Sequence, residues 1–432
     1  MPQPPSAASR DEPVIRDRGD ACPGALRLHA ADDGYLARVR IPGGLLTAAQ
    51  AFALAGAADR FGDGHLELTS RGNVQLRGLA DGCGGALAEL LDAAGLLPAP
   101  GHERVRNIVA TPMAGIGSTG RPDVTPWVGE LDRLLCASTR ATALSGRFLF
   151  ALDDGRGDVA ALDPDVTVLG IPHGRALLRL GAAAGAVELA AADAPRAAWL
   201  AAAYFLDAAE AAGTRAWRVA ELPLERALDV GEFAARLGVA GIAGEVRPEV
   251  AWPYCPPPRP SGSDAGEQDA LCVLPPLGRL ASAQWRVLAG AAADGDGGGL
   301  RVTPWRSIVL PRAGAHRHAV AGAGLVLAPD DPWESVTACT GRPGCAKSLA
   351  DVRADARALV QLSRGPLPVH WSGCARRCGH PRGAAWVDAT ATAGGGYELA
   401  VHGRPLPPGT DLAAALTAAR NTPSPSEAAV KK

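Results

Sequence analysis

Lysine is almost absent from this 432-residue sequence, which has it only at Lys347, Lys431 and Lys432. The other 40 of its 43 basic residues are arginine, and alanine, glycine and proline are also abundant. A GC-rich genome explains this bias, so the abundance of arginine does not by itself indicate an anionic ligand. The net charge of −2 shows no basic excess, and we therefore expect no nucleic-acid partner.

A long uninterrupted apolar run is also missing. The alanine-rich segment 181–213 contains the charged residues Glu188, Asp193, Arg196 and Asp207, which predicts a buried helix rather than a membrane span. The first twenty residues are polar and charged, without the apolar stretch that follows the basic start of a signal peptide. We therefore expect a cytoplasmic protein that has no membrane partner.

Nine cysteines in a reducing compartment argue against a disulfide framework, and four of them form two close pairs. Cys339 and Cys345 make a C-x5-C pair, and Cys374 and Cys378 make a C-x3-C pair after 28 intervening residues. Four thiolates suit a [4Fe–4S] cluster. A helix predicted over 346–362 would direct its positive end at the cluster. A structural zinc ion on the same cysteines is the alternative, although C-x5-C is wider than the usual zinc pair.

An internal repeat is the most informative structural feature of the sequence. Residues 44–76 align with residues 278–310 without a gap, at an offset of 234 residues. The matched pairs include Gly44 with Gly278, Gln50 with Gln284, and Thr69 with Thr303. Each copy predicts a strand, a helix and two strands, which in the first copy are 36–41, 47–61, 66–69 and 74–77. Neither copy can bury its helix face alone, so we expect the copies to pair about a pseudo-twofold axis, with a ligand site at their junction.

These patterns predict an α+β fold in which two ferredoxin-like half-domains pair about the pseudo-twofold axis and two α/β domains bind cofactor or substrate. The predicted segments are a disordered tail (1–20), the first half-domain (21–92), the first α/β domain (93–254), a Pro/Gly/Ser linker (255–270), the second half-domain (271–335), the iron–sulfur α/β domain (336–420) and a second tail (421–432). Further strands are predicted over 106–110, 147–151 and 367–371, a hairpin over 386–401, and helices over 123–136 and 197–212.

Polar side chains line one face of the strand that ends the first repeat. Arg71, Asn73, Gln75 and Arg77 alternate with aliphatic residues in the sequence T-S-R-G-N-V-Q-L-R. Guanidinium and amide groups along one face suit a ligand that carries carboxylates. A solvated sheet edge explains the same pattern, so both interpretations stay open on these residues alone.

Two histidines, His316 and His318, alternate on a possible strand and are candidates for binding one metal ion, an iron for example. A structural or surface role is the alternative for this pair. The same applies to His370 and His380, which flank the second cysteine pair.

Together, the two cysteine pairs, the duplicated half-domains and the T-S-R-G-N-V-Q-L-R strand resemble the siroheme sulfite and nitrite reductase superfamily. The resemblance covers about residues 21–405. Within that superfamily the chain resembles the precorrin-3B synthases of the aerobic cobalamin pathway. The opening residues 22–27 (C-P-G-A-L-R), the run 33–44 and the modest chain length carry this closer resemblance.

The resemblance implies a monooxygenase that uses dioxygen to hydroxylate precorrin-3A at C20 and to close a γ-lactone. It also implies a [4Fe–4S] cluster, a mononuclear non-haem iron and an electron donor. The substrate would occupy the cavity that holds siroheme in the reductases, and without siroheme Cys378 would bind the cluster alone.

Basic residues of the reductases carry over to this sequence only in part. Arg71 matches the T-x-R strand, and Arg106 and Asn107 match an R-N-V strand. Arg147 matches one position of an R-K-F-K segment in which Gly146 and Leu149 replace basic residues. Dense positive charge for sulfite or nitrite is therefore partly lost. A larger polycarboxylate needs arginines spread around a rim, and the resemblance implies this role for Arg40, Arg71, Arg77, Arg106 and Arg147.

Two other functions remain open on the sequence. One is a siroheme-dependent nitrite or sulfite reductase, which Leu149 disfavours. The other is a non-catalytic tetrapyrrole-binding protein that a metal stabilises.

Overall fold

The computed structural model describes residues 23–117, 120–261, 269–295, 299–381, 385–401, 403–407 and 411–422. The predicted tail 1–20, Cys22 of the opening motif, residues 262–268 of the predicted linker and residues 423–432 of the second tail lie outside the described residues.

The described strands are β1 (His29–Ala31), β2 (Gly34–Val39), β3 (Leu45–Thr47), β4 (His65–Leu68), β5 (Val74–Leu79), β6 (Ile108–Ala110), β7 (Phe150–Asp153), β8 (Val166–Ile171), β9 (Arg175–Leu180), β10 (Ala186–Ala190), β11 (Gly244–Arg247), β12 (Leu271–Val273), β13 (Arg279–Ala281), β14 (Gly299–Val302), β15 (Ile308–Leu310), β16 (Val336–Ala338), β17 (Val369–Ser372), β18 (Val387–Ala391), β19 (Tyr397–Val401) and β20 (Arg404–Pro405). The described helices are α1 (Ala48–Phe61), α2 (Gly84–Ala93), α3 (Thr125–Ala137), α4 (Ala194–Ala211), α5 (Val230–Val239), α6 (Ser282–Asp294), α7 (Arg317–Gly322), α8 (Val352–Leu359) and α9 (Leu412–Arg420).

The internal repeat is confirmed, because β3, α1, β4 and β5 recur as β13, α6, β14 and β15. The matched glutamines make equivalent hydrogen bonds in both copies. The side-chain oxygens of Gln50 and Gln284 accept the backbone N–H of the residue that caps each helix, at 3.0 and 2.9 Å. Their amide groups then donate to the carbonyls of Ala94 and Ala323. Each glutamine therefore caps its own helix and also bonds to the segment that follows this helix. The same pair of contacts at equivalent positions indicates a duplicated unit.

The two copies exchange strands and share one core, as the pseudo-twofold pairing predicts. Strand β13 of the second copy completes the sheet β1-β2-β5-β4-β13, and β3 of the first completes the sheet β12-β15-β14-β3. Helices α1 and α6 pack against each other, and the fully buried Trp285 of α6 donates to the carbonyl of Ala51 in α1 at 2.8 Å. Neither sheet is complete without the other copy.

Two further sheets follow the two copies in the chain. The first has the order β11-β10-β9-β8-β7-β6 and the second has the order β16-β17-β18-β19-β20. In each sheet three consecutive strands are parallel, β6-β7-β8 and β16-β17-β18, and a helix, α3 or α8, connects the first two of them. The cysteines follow the carboxyl ends of β16 and β17, which is where parallel sheets place their ligand sites.

Three local predictions are wrong. The helix expected from residue 346 begins only at Val352, where the Asp351 side chain accepts the N–H of Ala354. Residues 346–351 are held in turns instead, so no helix dipole begins at Cys345. Arg147 precedes β7 rather than lying in it. His316 ends a 3-10 turn and His318 lies in α7, so the two histidines do not alternate on a strand.

No helix of the described part is long and apolar enough to cross a membrane.

Candidate functional site

Two adjacent parallel strands bring the cysteine loops together. Cys339 directly follows β16, and its backbone N–H donates to the carbonyl of Trp371 in β17 at 2.9 Å. Gly373 directly follows β17 and donates its backbone N–H to the Cys339 sulfur at 3.2 Å. The first residue of one loop is thereby bonded to the loop that carries Cys374 and Cys378.

The Cys339 thiol is surrounded by groups that act on its charge. Burial raises the pKa of Cys339, the N–H groups of Gly373 and Gly341 lower it, and the nearby Cys378 and Cys374 raise it. Three of the four predicted ligands are thus close enough to interact. Backbone donors that face a sulfur stabilise a ligating thiolate, and hydrogen bonds of this kind tune iron–sulfur clusters.

A zinc ion held by all four cysteines would require their sulfur atoms to lie close together. Four sulfurs around one zinc ion lie about 3.8 Å apart, because each Zn–S bond is about 2.3 Å long. Within the described ranges, no three His, Cys, Asp or Glu side chains lie close enough together to hold one metal ion. The structure brings the two cysteine pairs to adjacent loops, and the [4Fe–4S] cluster on these four thiols stays a prediction.

The loop of Cys345 is docked on the polar strand β5. Arg77 donates to the carbonyl of Gly344 at 2.8 Å, and the same guanidinium forms an ion pair with Asp33 at 2.8 Å. The backbone N–H of Ala346 donates to the carboxylate of Asp32. Arg77, which the sequence predicted as a substrate ligand, is buried and holds this loop against the sheet.

Of the four polar residues predicted on one strand face, only Gln75 and Arg77 lie in β5, whereas Arg71 and Asn73 lie in the segment before it. Asn73 is buried and accepts the backbone N–H of Ile41 at 2.9 Å. Gln75 accepts from Arg38 at 3.2 Å and donates to Glu67 at 3.3 Å, which forms a polar row across β2, β5 and β4. The polar face is therefore internally connected rather than a solvated edge.

Arg40 and Arg71 converge on one atom. Both donate to the carbonyl of Gly146, at 3.4 and 3.0 Å. Gly146 is the residue that replaces a basic residue of the reductases, so two predicted ligand arginines lie beside the substituted segment. Arg147 next to it is exposed and lies over the ring of Trp217, at 5.0 Å.

Arg106 and Asn107 bond to other residues of the first α/β domain and its neighbouring segments. Arg106 forms a bidentate ion pair with Asp132 of α3, with both distances 2.7 Å, and also donates to the carbonyl of Leu96. Asn107 donates to the carbonyl of Phe148 at 2.9 Å. None of these contacts links the two residues to the cysteine loops. Of the arginines predicted around the substrate, Arg77 does contact a cysteine loop, whereas Arg106 does not.

The histidine candidates are separate from the cysteines. His316 forms a pair with Asp294 at 3.5 Å, and His318 lines a cavity with Met113 and Asp158. This cavity has a volume of about 1020 Å³, and none of the four predicted cluster cysteines lines it. Since no three suitable side chains of the described chain meet at one point, these residues do not fit a mononuclear iron.

The sequence interpretation missed Glu67 in this region, and it left the role of His370 open. Glu67 of β4 forms an ion pair with Arg353 of α8 at 2.6 Å, which links the first sheet to the cysteine-bearing one. The signal was present, because Glu67 lies in the strand that pairs with β5. His370 of β17 is fully buried, contacts Thr337 at 2.8 Å, and burial lowers its pKa to about 3.

Comparisons with known proteins agree with this architecture. The family described as the nitrite/sulfite reductase ferredoxin-like half domain matches residues 29–94 and 263–319, which correspond to the two repeat copies. The chain is similar to the precorrin-3B synthase of Sinorhizobium sp, with 28% identity over 90% of this chain and 84% of that protein. It is also similar to the ferredoxin–nitrite reductase of Synechococcus elongatus, with 25% identity over 81% and 74% of the two chains.

A solved structure, that of the Mycobacterium tuberculosis NirA protein, has the same fold with a TM-score of 0.66. The two chains are 20% identical, and the match covers 89% of this chain and 79% of the other. The chain thus contains two matches to the nitrite/sulfite reductase ferredoxin-like half domain, as its repeat predicted, and it is similar to a precorrin-3B synthase and to ferredoxin–nitrite reductases over most of its length.

Proposed function

We propose that this chain is a precorrin-3B synthase, an oxygen-dependent monooxygenase that hydroxylates precorrin-3A at C20 and forms a γ-lactone in cobalamin biosynthesis. The observation that carries the proposal is the similarity to the Sinorhizobium precorrin-3B synthase over nine-tenths of this chain. The altered basic segment supports it, since a large polycarboxylate does not need the dense charge that a small oxyanion needs.

Four residues would hold a [4Fe–4S] cluster in this proposal: Cys339, Cys345, Cys374 and Cys378. When bound, such a cluster supplies electrons one at a time at a potential that its surroundings set. The chain itself contributes the positioning. The Arg77 guanidinium fixes the Cys345 loop through the carbonyl of Gly344, and the Gly373 N–H orients the Cys339 sulfur.

The substrate would lie beside the polar face of the first sheet, because this face meets the cysteine loops. Guanidinium groups there would bind its carboxylates and orient the macrocycle. The arginines at Gly146 would form one side of the site, whereas Arg106 would act indirectly by holding α3. The residues of the described chain do not fit the mononuclear iron, so we assign it no ligands and derive no step from it.

A siroheme-dependent nitrite or sulfite reductase is the second candidate, and the 25% identity to ferredoxin–nitrite reductases favours it. Gly146 and Leu149 disfavour it, because they stand where reductases carry basic residues. A non-catalytic tetrapyrrole-binding protein is a third possibility of a different class, and it would share the fold and the arginines.

An optical spectrum of protein purified without oxygen, together with iron and sulfide analysis, separates these candidates. A broad cluster band without a Soret peak is expected for the synthase. A Soret band with siroheme features would move the assignment to a reductase. Zinc without iron would contradict both enzymes. Hydroxylation of precorrin-3A by the protein with dioxygen and an electron donor is the decisive assay.

A further inference from the structure

Arginines concentrate where the polar face of the first sheet meets helix α8. Arg38 of β2 and Arg279 of β13 lie in this sheet, Arg353 and Arg357 lie in α8, and Arg306 lies in the turn before β15. These five residues come from both repeat copies and from the cysteine-bearing domain. We call them the arginine junction.

The arginine junction has fewer carboxylates than guanidinium groups around it. Glu67 contacts Arg353 at 2.6 Å and Arg279 at 3.6 Å, and Asp63 contacts Arg279 at 2.8 Å. Asp351, at the start of α8, acts on Arg357. Among the described residues, the guanidinium groups of Arg279, Arg306, Arg353 and Arg357 thus interact with three carboxylates, which leaves an excess of positive charge.

This excess is partly shielded from water. The side chains of Arg353 and Arg279 are 14% and 22% exposed. Burial lowers the pKa of Arg306, Glu67 raises it, and the positive charge of Arg353 lowers it. The Nε atoms of Arg279 and Arg353 are buried without a hydrogen-bond partner. Buried donors of this kind cost free energy unless a ligand meets them.

Glu67 already occupies the centre of this arrangement. Its carboxylate meets Arg353, Arg279 and the amide of Gln75 at 3.3 Å. The second copy has Arg301 at the equivalent position, where its guanidinium donates to the carbonyls of Pro112 and Ala114. The carboxylate at position 67 is therefore not a requirement of the duplicated fold.

We infer that the arginine junction binds a carboxylate of a polycarboxylate macrocycle and that Glu67 takes the place of this carboxylate in the ligand-free protein. The inference rests on the proposed function, since that function supplies a substrate with many carboxylates. The ligand carboxylate would bind to Arg353 and Arg279 and displace Glu67 from them. Glu67 then competes with the ligand carboxylate for these arginines and lowers the affinity for the macrocycle. Arg353 and Arg279 raise that affinity.

The two kinds of residue give opposite effects, which makes the inference testable. Binding of uroporphyrin, an octacarboxylate tetrapyrrole, is measured by fluorescence quenching on the full chain purified without oxygen. Arg353→Gln and Arg279→Gln are each expected to weaken binding about tenfold to hundredfold, as the loss of a charged hydrogen bond implies. Glu67→Gln is expected to strengthen binding several-fold. Arg353→Lys, which keeps the charge, is expected to lose less than Arg353→Gln.

Arg133→Gln is the matched control, because Arg133 forms an exposed ion pair with Glu130 on α3. It is expected to bind like the wild type. Thermal melting and the cluster spectrum show whether each variant is folded.

The outcomes separate this inference from the proposed function. If the wild type binds uroporphyrin and both arginine variants bind it equally well, the arginine junction is not a carboxylate site. A purely structural Glu67–Arg353 pair predicts that Glu67→Gln weakens binding, and that result would overturn the competitor role. If the wild type hydroxylates precorrin-3A but does not bind uroporphyrin, this inference fails and the proposed function stands. If it does neither, the proposed function itself fails.

Discussion

The substitution Asp158→Asn tests how the turn after β7 responds to pH. Asp158 is buried, and one of its carboxylate oxygens accepts from the Thr111 hydroxyl at 2.8 Å and from the Val159 N–H at 2.7 Å. The other oxygen is buried without a partner. Burial, and then the charge of Asp153, raise the pKa of Asp158 to about 7.

A carboxyl group whose pKa is raised on folding holds its proton more tightly in the folded protein. The folded state therefore loses stability as pH rises from about 4, where the unfolded chain ionises, to about 7, and the loss is constant above that. At 1.36 kcal/mol for each unit of pKa, the difference between pH 5 and pH 8 is at most about 3 kcal/mol. Asp158→Asn keeps an oxygen acceptor but removes the charge, so it should stabilise the protein more at pH 8 than at pH 5.

Urea unfolding of the wild type and of Asp158→Asn at pH 5, 6, 7 and 8 measures this difference. Asp81→Asn is the control, because Asp81 is exposed. The free energy gained by Asp158→Asn should grow with pH, whereas the control should change little. An effect of the same size at every pH, or a destabilisation that grows with pH, would refute the reasoning.

Three further predictions concern the cluster loops and the core. Cys345→Ser should abolish the cluster absorbance, and Cys255→Ser should leave it intact; a retained band in Cys345→Ser would remove that ligand. Gly373→Ala should also prevent cluster assembly, measured by iron content, because an added Cβ would lie 1.8 Å from the Ser348 hydroxyl oxygen; Gly394→Ala, with open space around it, is the control. Trp285→Ala should lower the free energy of unfolding by about 3–5 kcal/mol, since it empties the buried contact between α1 and α6. A loss no larger than that of the exposed Phe52→Ala would contradict that role.

The sequence predicted the duplicated core well because its signals were local. Gln50 and Gln284 cap equivalent helices, and both the helices and the alternating strands have regular periods. The cysteine spacing likewise predicted two loops, and the order of strands β16 and β17 brings these loops together. Such features depend on residues near one another in the chain.

Hydrogen bonds and ion pairs between residues far apart in the chain could not be predicted in this way. Arg106 and Arg77 were both predicted to bind substrate. Arg106 instead pairs with Asp132. Arg77 bonds to Asp33 and to the carbonyl of Gly344. The contact from Arg77 to Gly344 spans 267 positions, and no periodicity in the sequence encodes it. The helix expected at residue 346 failed for a related reason. The N–H of Leu349 bonds to the carbonyl of Gly373 in the other cysteine loop, and that tertiary contact replaces a helical turn.

The duplication extends beyond the paired cores to the loops that carry the cysteines. Thr111 follows β6 as Cys339 follows β16, and its N–H donates to the carbonyl of Leu152 in the adjacent strand, as that of Cys339 donates to Trp371. The N–H of Asp154 meets the Thr111 hydroxyl oxygen at 3.3 Å, just as that of Gly373 meets the Cys339 sulfur at 3.2 Å. The same backbone arrangement thus carries the Cys339 thiol after β16 and the Thr111 hydroxyl after β6. The Thr111 hydroxyl bonds to the carboxylate of Asp158. The same backbone arrangement is therefore present in both halves, and the proposed cluster belongs to the half whose loop begins with Cys339 because only there does a thiol occupy this position.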